Sequence, residues 1–293
     1  MRTLIGMVRS YKAKNLSDAA AALTYYSILS IFPAALALVA VVGVFGSYPE
    51  TTNAILGIVE DLGPGSAVDT FRRPVEDVVR SSGGAGALLG IGLLGALWSA
   101  SAYVGAFMRA ADTIYEVDHE RRIWRKLPLR IGLTVLLVIL LAFVAMALVL
   151  TGRLAEAVGR AIGVGDTAVT IWQFGKWPVL ILVIGLIFAI LYFAAPNVRH
   201  PGFKAVLPGG LLAIVLWAIA SFGFALYLAF FGSYNKTYGS LGAVIIFLVW
   251  LYLSNSAILL GAVFNAERER TRELERGLPA DEKLRLEPRD TKA

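Results

Sequence analysis

The chain has 293 residues, of which 57% are hydrophobic and 16% charged, with a formal net charge of +6 and no cysteine. Soluble domains carry roughly 25% charged residues, so this composition cannot clothe a soluble chain of this length. The lack of cysteine excludes disulfides, thiolate metal sites and cysteine nucleophiles.

The N-terminus carries Arg2, Arg9, Lys12 and Lys14 and no long apolar run, so no cleavable signal peptide is expected. Leu4, Ile5, Val8 and Tyr11 recur at helical spacing, which predicts an interfacial segment over 1–16. Ser17 has the character of an N-cap for the next helix. Six apolar runs then approach the ~20 residues that a membrane-crossing helix needs. They are Leu23–Phe45, Ala85–Phe107, Leu133–Leu150, Val179–Ala195, Leu211–Phe231 and Leu241–Val263, and none contains Lys, Arg, Asp, Glu or His.

Between the first two runs, 46–84 reads as two short external amphipathic helices. Ser47 and Glu50 have capping-box spacing, Ile55, Ile58, Val59 and Leu62 follow at helical spacing, and Gly63-Pro64-Gly65 breaks the segment. The second piece carries Val68, Phe71, Val75, Val78 and Val79. A Phe-Gly-Ser-Tyr string ends the first run at Phe45–Tyr48 and recurs at Phe231–Tyr234, where a Gly C-cap and an interfacial Tyr explain both copies. Beyond the last run, charges of both signs alternate from Glu267 to Arg276, and Gly277 and Pro279 mark a stop. The last dozen residues are expected to be disordered.

The connections alternate in charge. With the N-terminus in the cytoplasm, 1–27, 109–130, 196–210 and 264–293 share that side and carry 20 of the chain's 27 Lys and Arg. This asymmetry is the positive-inside signature. The expected fold is therefore all-α: a polytopic plasma-membrane protein with six transmembrane helices, both termini cytoplasmic. A transmembrane domain covers 1–270 and a charged cytoplasmic tail covers 271–293.

Two stretches carry a resemblance. The first is Ala20-Ala21-Ala22-Leu23-Thr24-Tyr25-Tyr26-Ser27-Ile28-Leu29-Ser30-Ile31-Phe32-Pro33. The second is Tyr238-Gly239-Ser240-Leu241-Gly242-Ala243, continuing to Trp250-Leu251-Tyr252-Leu253-Ser254 and Gly261-Ala262-Val263-Phe264-Asn265-Ala266. With these the chain resembles the YihY/BrkB family of bacterial inner-membrane proteins, once mislabelled as ribonuclease BN. The resemblance implies a six-helix bundle, and transport, including lipid-related transport, has been suggested for members. Asp112 stands where the resemblance leads one to expect Asn, a change from amide to carboxylate that bears on any inherited specificity.

The candidate cavity or ligand-binding residues are Tyr26, Ser30, Pro33, Ser99, Ser101, Arg109, Asp112, Tyr115 and Asn255. Tyr26, Ser30 and Pro33 share a helix face, where a proline kink either opens carbonyls to a polar cavity or merely bends the helix. Ser99 and Ser101 interrupt the second run, beside a Gly86/Gly90 pair that suits close helix packing. Arg109 and Asp112, three apart, could pair at the bundle mouth, and Asp112 and Glu116, four apart, share their face. Asn255 lies deep in the sixth run, where an amide must find a partner, either a neighbouring helix or a substrate. Asn265 is expected to cap or anchor.

Catalysis is disfavoured. His119 and His200 are the chain's two histidines. Asp112, Glu116, Asp118, His119 and Glu120 lie beside Arg121, Arg122, Arg125 and Lys126, without metal-site spacing. Nucleotide fingerprints are missing too. No cofactor, metal or nucleic-acid partner is expected. The expected function is transport or facilitated passage of a small solute or lipid-like molecule, with the bilayer as partner and homo-oligomerisation open. The alternative is a non-transporting membrane scaffold that acts through partners or envelope lipids.

Overall fold

A computed structural model describes residues 2–45, 85–117, 121–149, 166–230, 240–280 and 283–290, with some side chains near the outer helix ends omitted. The expected external helices of 46–84, the repeated Phe-Gly-Ser-Tyr strings beyond Phe45 and the carboxylates of 118–120 lie outside the described residues.

Seven α-helices and one short 3-10 turn make up the described chain. They are α1 (Arg2–Ala13), α2 (Leu16–Phe45), α3 (Ala85–Ile114), α4 (Ile123–Val149), α5 (Asp166–Ala194), α6 (Leu207–Phe230) and α7 (Ser240–Glu275), with the turn at Phe203–Ala205. Among the described residues four segments are long and apolar enough to cross a membrane: Ile123–Val144, Thr170–Ala194, Phe203–Leu228 and Val244–Glu275. α2 and α3 run 30 residues each, about 45 Å at 1.5 Å per residue, which exceeds a hydrocarbon core of about 30 Å.

The helices outrun the apolar segments that announce them. α4 starts at Ile123, ten residues before Leu133, and α5 at Asp166, well before Val179. Hydropathy marks where the chain is dry. Backbone hydrogen bonding carries the helix on into the wet interface.

The chain divides into two compact units, residues 25–103 and the remainder, with the breaks falling inside α2 and α3. In the larger unit α6 lies antiparallel along α7, α5 packs on α6, α4 on α5, and α1 on α7.

The α6–α7 seam explains itself from small residues. Gly209 and Gly261 let the two backbones touch, and a Cβ on Gly261 would sit 2.5 Å from the Gly209 carbonyl oxygen and 2.6 Å from the Tyr192 hydroxyl. Along the same seam two indoles exchange partners: Trp217 donates to Ser254 at 3.1 Å and Trp250 donates to Ser221 at 3.1 Å. Each serine lies four residues from the tryptophan on its own helix, so one antiparallel register satisfies both. Asn265 ties the start of α6 to α7. Its Oδ1 accepts from the Gly209 N–H at 2.9 Å and its Nδ2 donates to the Val206 carbonyl at 2.9 Å. The Gly209 N–H is a first-turn donor that α6 itself cannot satisfy, so Asn265 caps as expected. Tyr192 of α5 completes the packing, donating to the Ile258 carbonyl at 2.6 Å and stacking on Phe107 and Phe188.

At the N-terminus, α1 turns into α2 through Asn15, whose φ of 49° is left-handed, a conformation Asn tolerates at helix ends. Asn15 therefore holds the position just before α2. The expected cap, Ser17, falls inside the first turn and donates to Asp18 at 3.4 Å. α1 turns Gly6 and Ser10 towards α7 and buries Met7, while Ile5 and Val8 are exposed. An amphipathic helix lying on a bilayer surface would bury those two side chains.

Candidate functional site

The larger unit gathers its charges at one end. α7 is 36 residues long, about 54 Å, and its last turns carry three buried carboxylates, Glu267, Glu269 and Glu273. Ser10 of α1 donates to Glu267 at 2.6 Å, and Arg270 Nε lies 3.6 Å from the same carboxylate.

Glu116, just past α3, joins the distant segments. Its Oε1 meets Lys14 Nζ at 2.9 Å and Arg270 Nη2 at 2.6 Å, and its Oε2 accepts from the Leu284 N–H at 3.0 Å. The backbone of Glu116 is left-handed, with φ 57°, a conformation that costs a non-glycine residue ~1 kcal/mol. Burial pushes the Glu116 carboxyl up. The Leu284 hydrogen bond and the charges of Lys14 and Arg270 outweigh that and hold it below the ordinary carboxylate range. Lys14 also donates to the Ile114 carbonyl at 2.6 Å, placing a cation at the negative end of α3.

A second knot surrounds Asn197, which is fully buried. Its N–H donates to Asp112 Oδ1 at 2.8 Å, its Oδ1 accepts from Arg121 Nε at 3.2 Å and from the Asp290 N–H at 3.1 Å, and its Nδ2 donates to the Asp290 carbonyl at 3.1 Å. Arg121 is buried and donates to the carbonyls of Ala194, Ala195 and Pro196 at 3.2, 3.3 and 2.8 Å, so it caps the C-terminal end of α5. Burial lowers the Arg121 pKa, Asp112 and Asp290 oppose this, and Arg289 reinforces it.

The tail completes the knot. Residues 283–290, part of the stretch expected to be disordered, return to the connection after α5 through an antiparallel bridge between Val198 and Pro288. Arg199 N–H donates to the Glu287 carbonyl at 2.8 Å and Arg289 N–H to the Asn197 carbonyl at 3.2 Å. The Arg289 guanidinium donates to the carbonyls of Val198 and Phe193, both at 2.8 Å, and lies 4.6 Å from the Phe193 ring centroid. Asp290 pairs with Arg125, and its other oxygen is 3.9 Å from Arg121 Nε. Against this clasp His200 stands edge-on to Tyr115 at 5.1 Å. Its Nε2 is buried with no partner among the described residues. Burial, reinforced by Arg289 and opposed by a hydrogen bond to the Tyr192 backbone, lowers its pKa to about 4.

The candidate residues therefore separate. Asp112 and Tyr115 belong to the knot, Tyr115 buried and Asp112 aimed at Asn197. Arg109 is exposed and no ion pair with Asp112 is formed; the carboxylate turns to the backbone N–H that the end of α5 leaves open. Asp112 and Glu116 likewise reach different partners, because α3 ends between them. Asn255 is buried and donates to Thr24 Oγ1 at 3.2 Å and to the Leu251 carbonyl at 3.0 Å, joining α7 to α2. In the smaller unit, Ser30 donates back to the Tyr26 carbonyl at 2.8 Å and Tyr26 packs edge-on with Tyr25. Ser99 and Ser101 are half-buried on α3, and Pro33 lies in α2 with its side chain outside the described residues.

Several residues of the knot were not singled out from sequence: Asn197, Arg289, Asp290 and Lys14 in its role at α3. The local signal for Asn197 is its place after Pro196 at the end of an apolar run. Lys176, assigned by sequence to an outer connection, lies within the candidate span Thr170–Ala194 and is buried, 5.4 Å from the Trp177 ring centroid. Among the described residues no three His, Asp or Glu side chains come close enough to hold a metal ion.

Apolar helices of membrane-crossing length, closed at one end by a charged knot, define a multi-helix membrane protein. The family model described as virulence factor BrkB matches residues 7–285, and the chain belongs to this family of bacterial membrane proteins. It is 32% identical over 247 residues to the ribonuclease-like protein YfkH of Bacillus subtilis (strain 168), covering 84% of this chain and 87% of that one. It is 32% identical over 258 residues to a UPF0761 membrane protein of Alkalilimnicola ehrlichii, covering 84% of this chain and 53% of that one. A UPF0761 membrane protein of Xanthomonas campestris pv. campestris (strain B100) is 29% identical over 262 residues, covering 87% and 57%. The chain thus spans little more than half the length of these UPF0761 relatives. No solved structure matches.

Proposed function

We propose that this chain crosses the bacterial plasma membrane six times with both termini in the cytoplasm, and that it passes a small solute or lipid-like molecule across that membrane rather than acting as an enzyme. The side assignment is supported by contacts among the four segments that the Lys and Arg count places together. Glu116 bonds to Lys14 and Arg270, Asn197 bonds to Arg121 and Asp290, and all six residues belong to those segments. Placing segments 1–27, 109–130, 196–210 and 264–293 on one side of the membrane agrees with these bonds.

The observation that carries passage is the kind of contact closing this end. Ion pairs and hydrogen bonds among four separate chain segments can be exchanged for water one at a time, since each contributes only ~1–3 kcal/mol net. Such a closure can open, and alternating access requires an end that opens. The scaffold reading draws on a different observation. Asn255, Trp217 and Trp250 direct their polar groups to neighbouring helices rather than to an open path.

Flux of solutes and of labelled lipids into vesicles reconstituted with the full chain tests the choice. Flux above that of protein-free vesicles, altered by Asp112→Asn, is the expected result. A folded protein that moves none of the solutes or lipids screened would leave the scaffold. A reporter fusion placing either terminus outside the cytoplasm would overturn the topology.

A further inference from the structure

The clasp between the tail and α4 has the form of a ligand in a site. Arg121 and Arg125 are four residues apart, Arg125 within the first turn of α4 and Arg121 just before it, and both approach the carboxylate of Asp290. The Arg121 side chain is only 4% exposed, whereas that of Arg125 is 70% exposed. The seat therefore has a fixed inner cation and an accessible outer one. Asn197 fixes the inner cation through its Oδ1, and three carbonyls hold the rest of that guanidinium.

The position of the seat indicates which anion it meets. Ile123 and Trp124 lie between the two arginines in sequence and are 75% and 87% exposed, at the start of the candidate span Ile123–Val144. An exposed Trp at the end of a span sits at headgroup depth. Arg122, also exposed, adds positive charge beside it. Anionic headgroups present phosphate at that depth, and arginine forks match phosphate as well as carboxylate.

We propose that Arg121 and Arg125 form a seat for the phosphate of an anionic lipid headgroup, and that Asp290 fills this seat in cis. Lipid phosphate and the tail then compete. An anionic inner leaflet loosens residues 283–290 from the end of α5, and a neutral one leaves them clasped. The proposal needs α4 to cross the membrane but not that the protein transports anything.

The chain has no native cysteine, so Leu284→Cys gives one reporter thiol at a position buried in the docked tail. Its labelling rate is measured on the full chain in phosphatidylcholine vesicles and in equimolar phosphatidylcholine and phosphatidylglycerol, at one ionic strength. The expected result is labelling faster on the order of tenfold in the anionic vesicles, the effect of displacing one charge-assisted contact. Adding Asp290→Asn should make labelling fast in both. Adding Arg125→Gln should abolish the lipid response, and Arg122→Gln should keep it. Equal labelling in both vesicle types overturns the proposal, as does loss of the response in Arg122→Gln as complete as in Arg125→Gln, which would mean diffuse surface charge. If inorganic phosphate with neutral vesicles reproduces the release, the anion seat stands and the lipid as its source is overturned. Arg125 is exposed, so its replacement leaves the buried packing in place, and unchanged melting of that variant checks this.

Discussion

Arg270 and Glu116 meet at 2.6 Å although 154 residues separate them in the chain. The same carboxylate also receives Lys14 and the Leu284 N–H, so one side chain ties together the ends of α1, α3 and α7 and the tail.

Glu116→Gln removes the charge and leaves two cations half-buried without it. The expected loss is about 2 kcal/mol at neutral pH, the scale of hydrogen bonds to a charged group at a part-exposed site. The folded carboxyl titrates below its ordinary 4.5, so its contribution is complete above that pH and fades as the pH falls through the lowered value. Unfolding in mixed micelles should show wild type and variant diverging at pH 7 and converging under acid. A constant difference down to the acid limit would contradict this account.

His200 carries the opposite charge logic. Its imidazole is neutral in the fold, with a pKa lowered from 6.5 to about 4. The unfolded chain takes up a proton at 6.5 and the folded chain does not, so stability falls as the pH drops from 6.5 towards 4 and is flat above 6.5. His200→Phe keeps a ring against Tyr115 and Phe193 but cannot titrate, and it should lack this slope. A histidine NMR resonance titrating near 6.5 in the folded protein with His119 replaced by Gln would refute the burial argument.

Asn255 should behave as a bridge between helices. Asn255→Ala and Thr24→Ala should each destabilise by about 1 kcal/mol, with a coupling of about 0.6 kcal/mol between them, as for hydrogen bonds within membranes. Strict additivity in a double-mutant cycle would show that the amide works elsewhere.

Gly261→Ala should be among the more damaging single methyl additions, because its Cβ would lie 2.5 Å from the backbone oxygen of Gly209. Prising α6 from α7 costs about 3 kcal/mol and would also strain the Trp–Ser exchange. Gly185→Ala is the control: its nearest neighbour would be Ile214 Cδ1 at 3.7 Å, an ordinary contact. Equal effects of the two substitutions would dismiss the close-approach explanation.

Helices were legible because they depend on local composition. Runs such as Leu211–Phe231 declare themselves by length, and α6 covers Leu207–Phe230. Asn265 was legible as a cap because an amide near a helix end has few other roles. The knot was not legible, since most of its bonds join residues far apart in the chain. Ser10 to Glu267 spans 257 positions and Leu284 to Glu116 spans 168. Spacing rules pointed Asp112 at Arg109, because both sit on one helix, but its carboxylate accepts from the N–H of Asn197, 85 positions away. The tail misled for a related reason. A balanced run of charges reads as solvated whenever its partners are hidden in other loops.

The length of α7 has a mechanical consequence. Val244 and Glu273 belong to one unbroken helix, so the apolar turns of the candidate span and the charged turns at its end move as a single rod. Tilting or rotating that rod within the bilayer must carry Glu267 across α1 and Arg270 away from Glu116. It therefore acts as a lever whose short arm is the charged stalk, and the knot registers any change of angle in the last span.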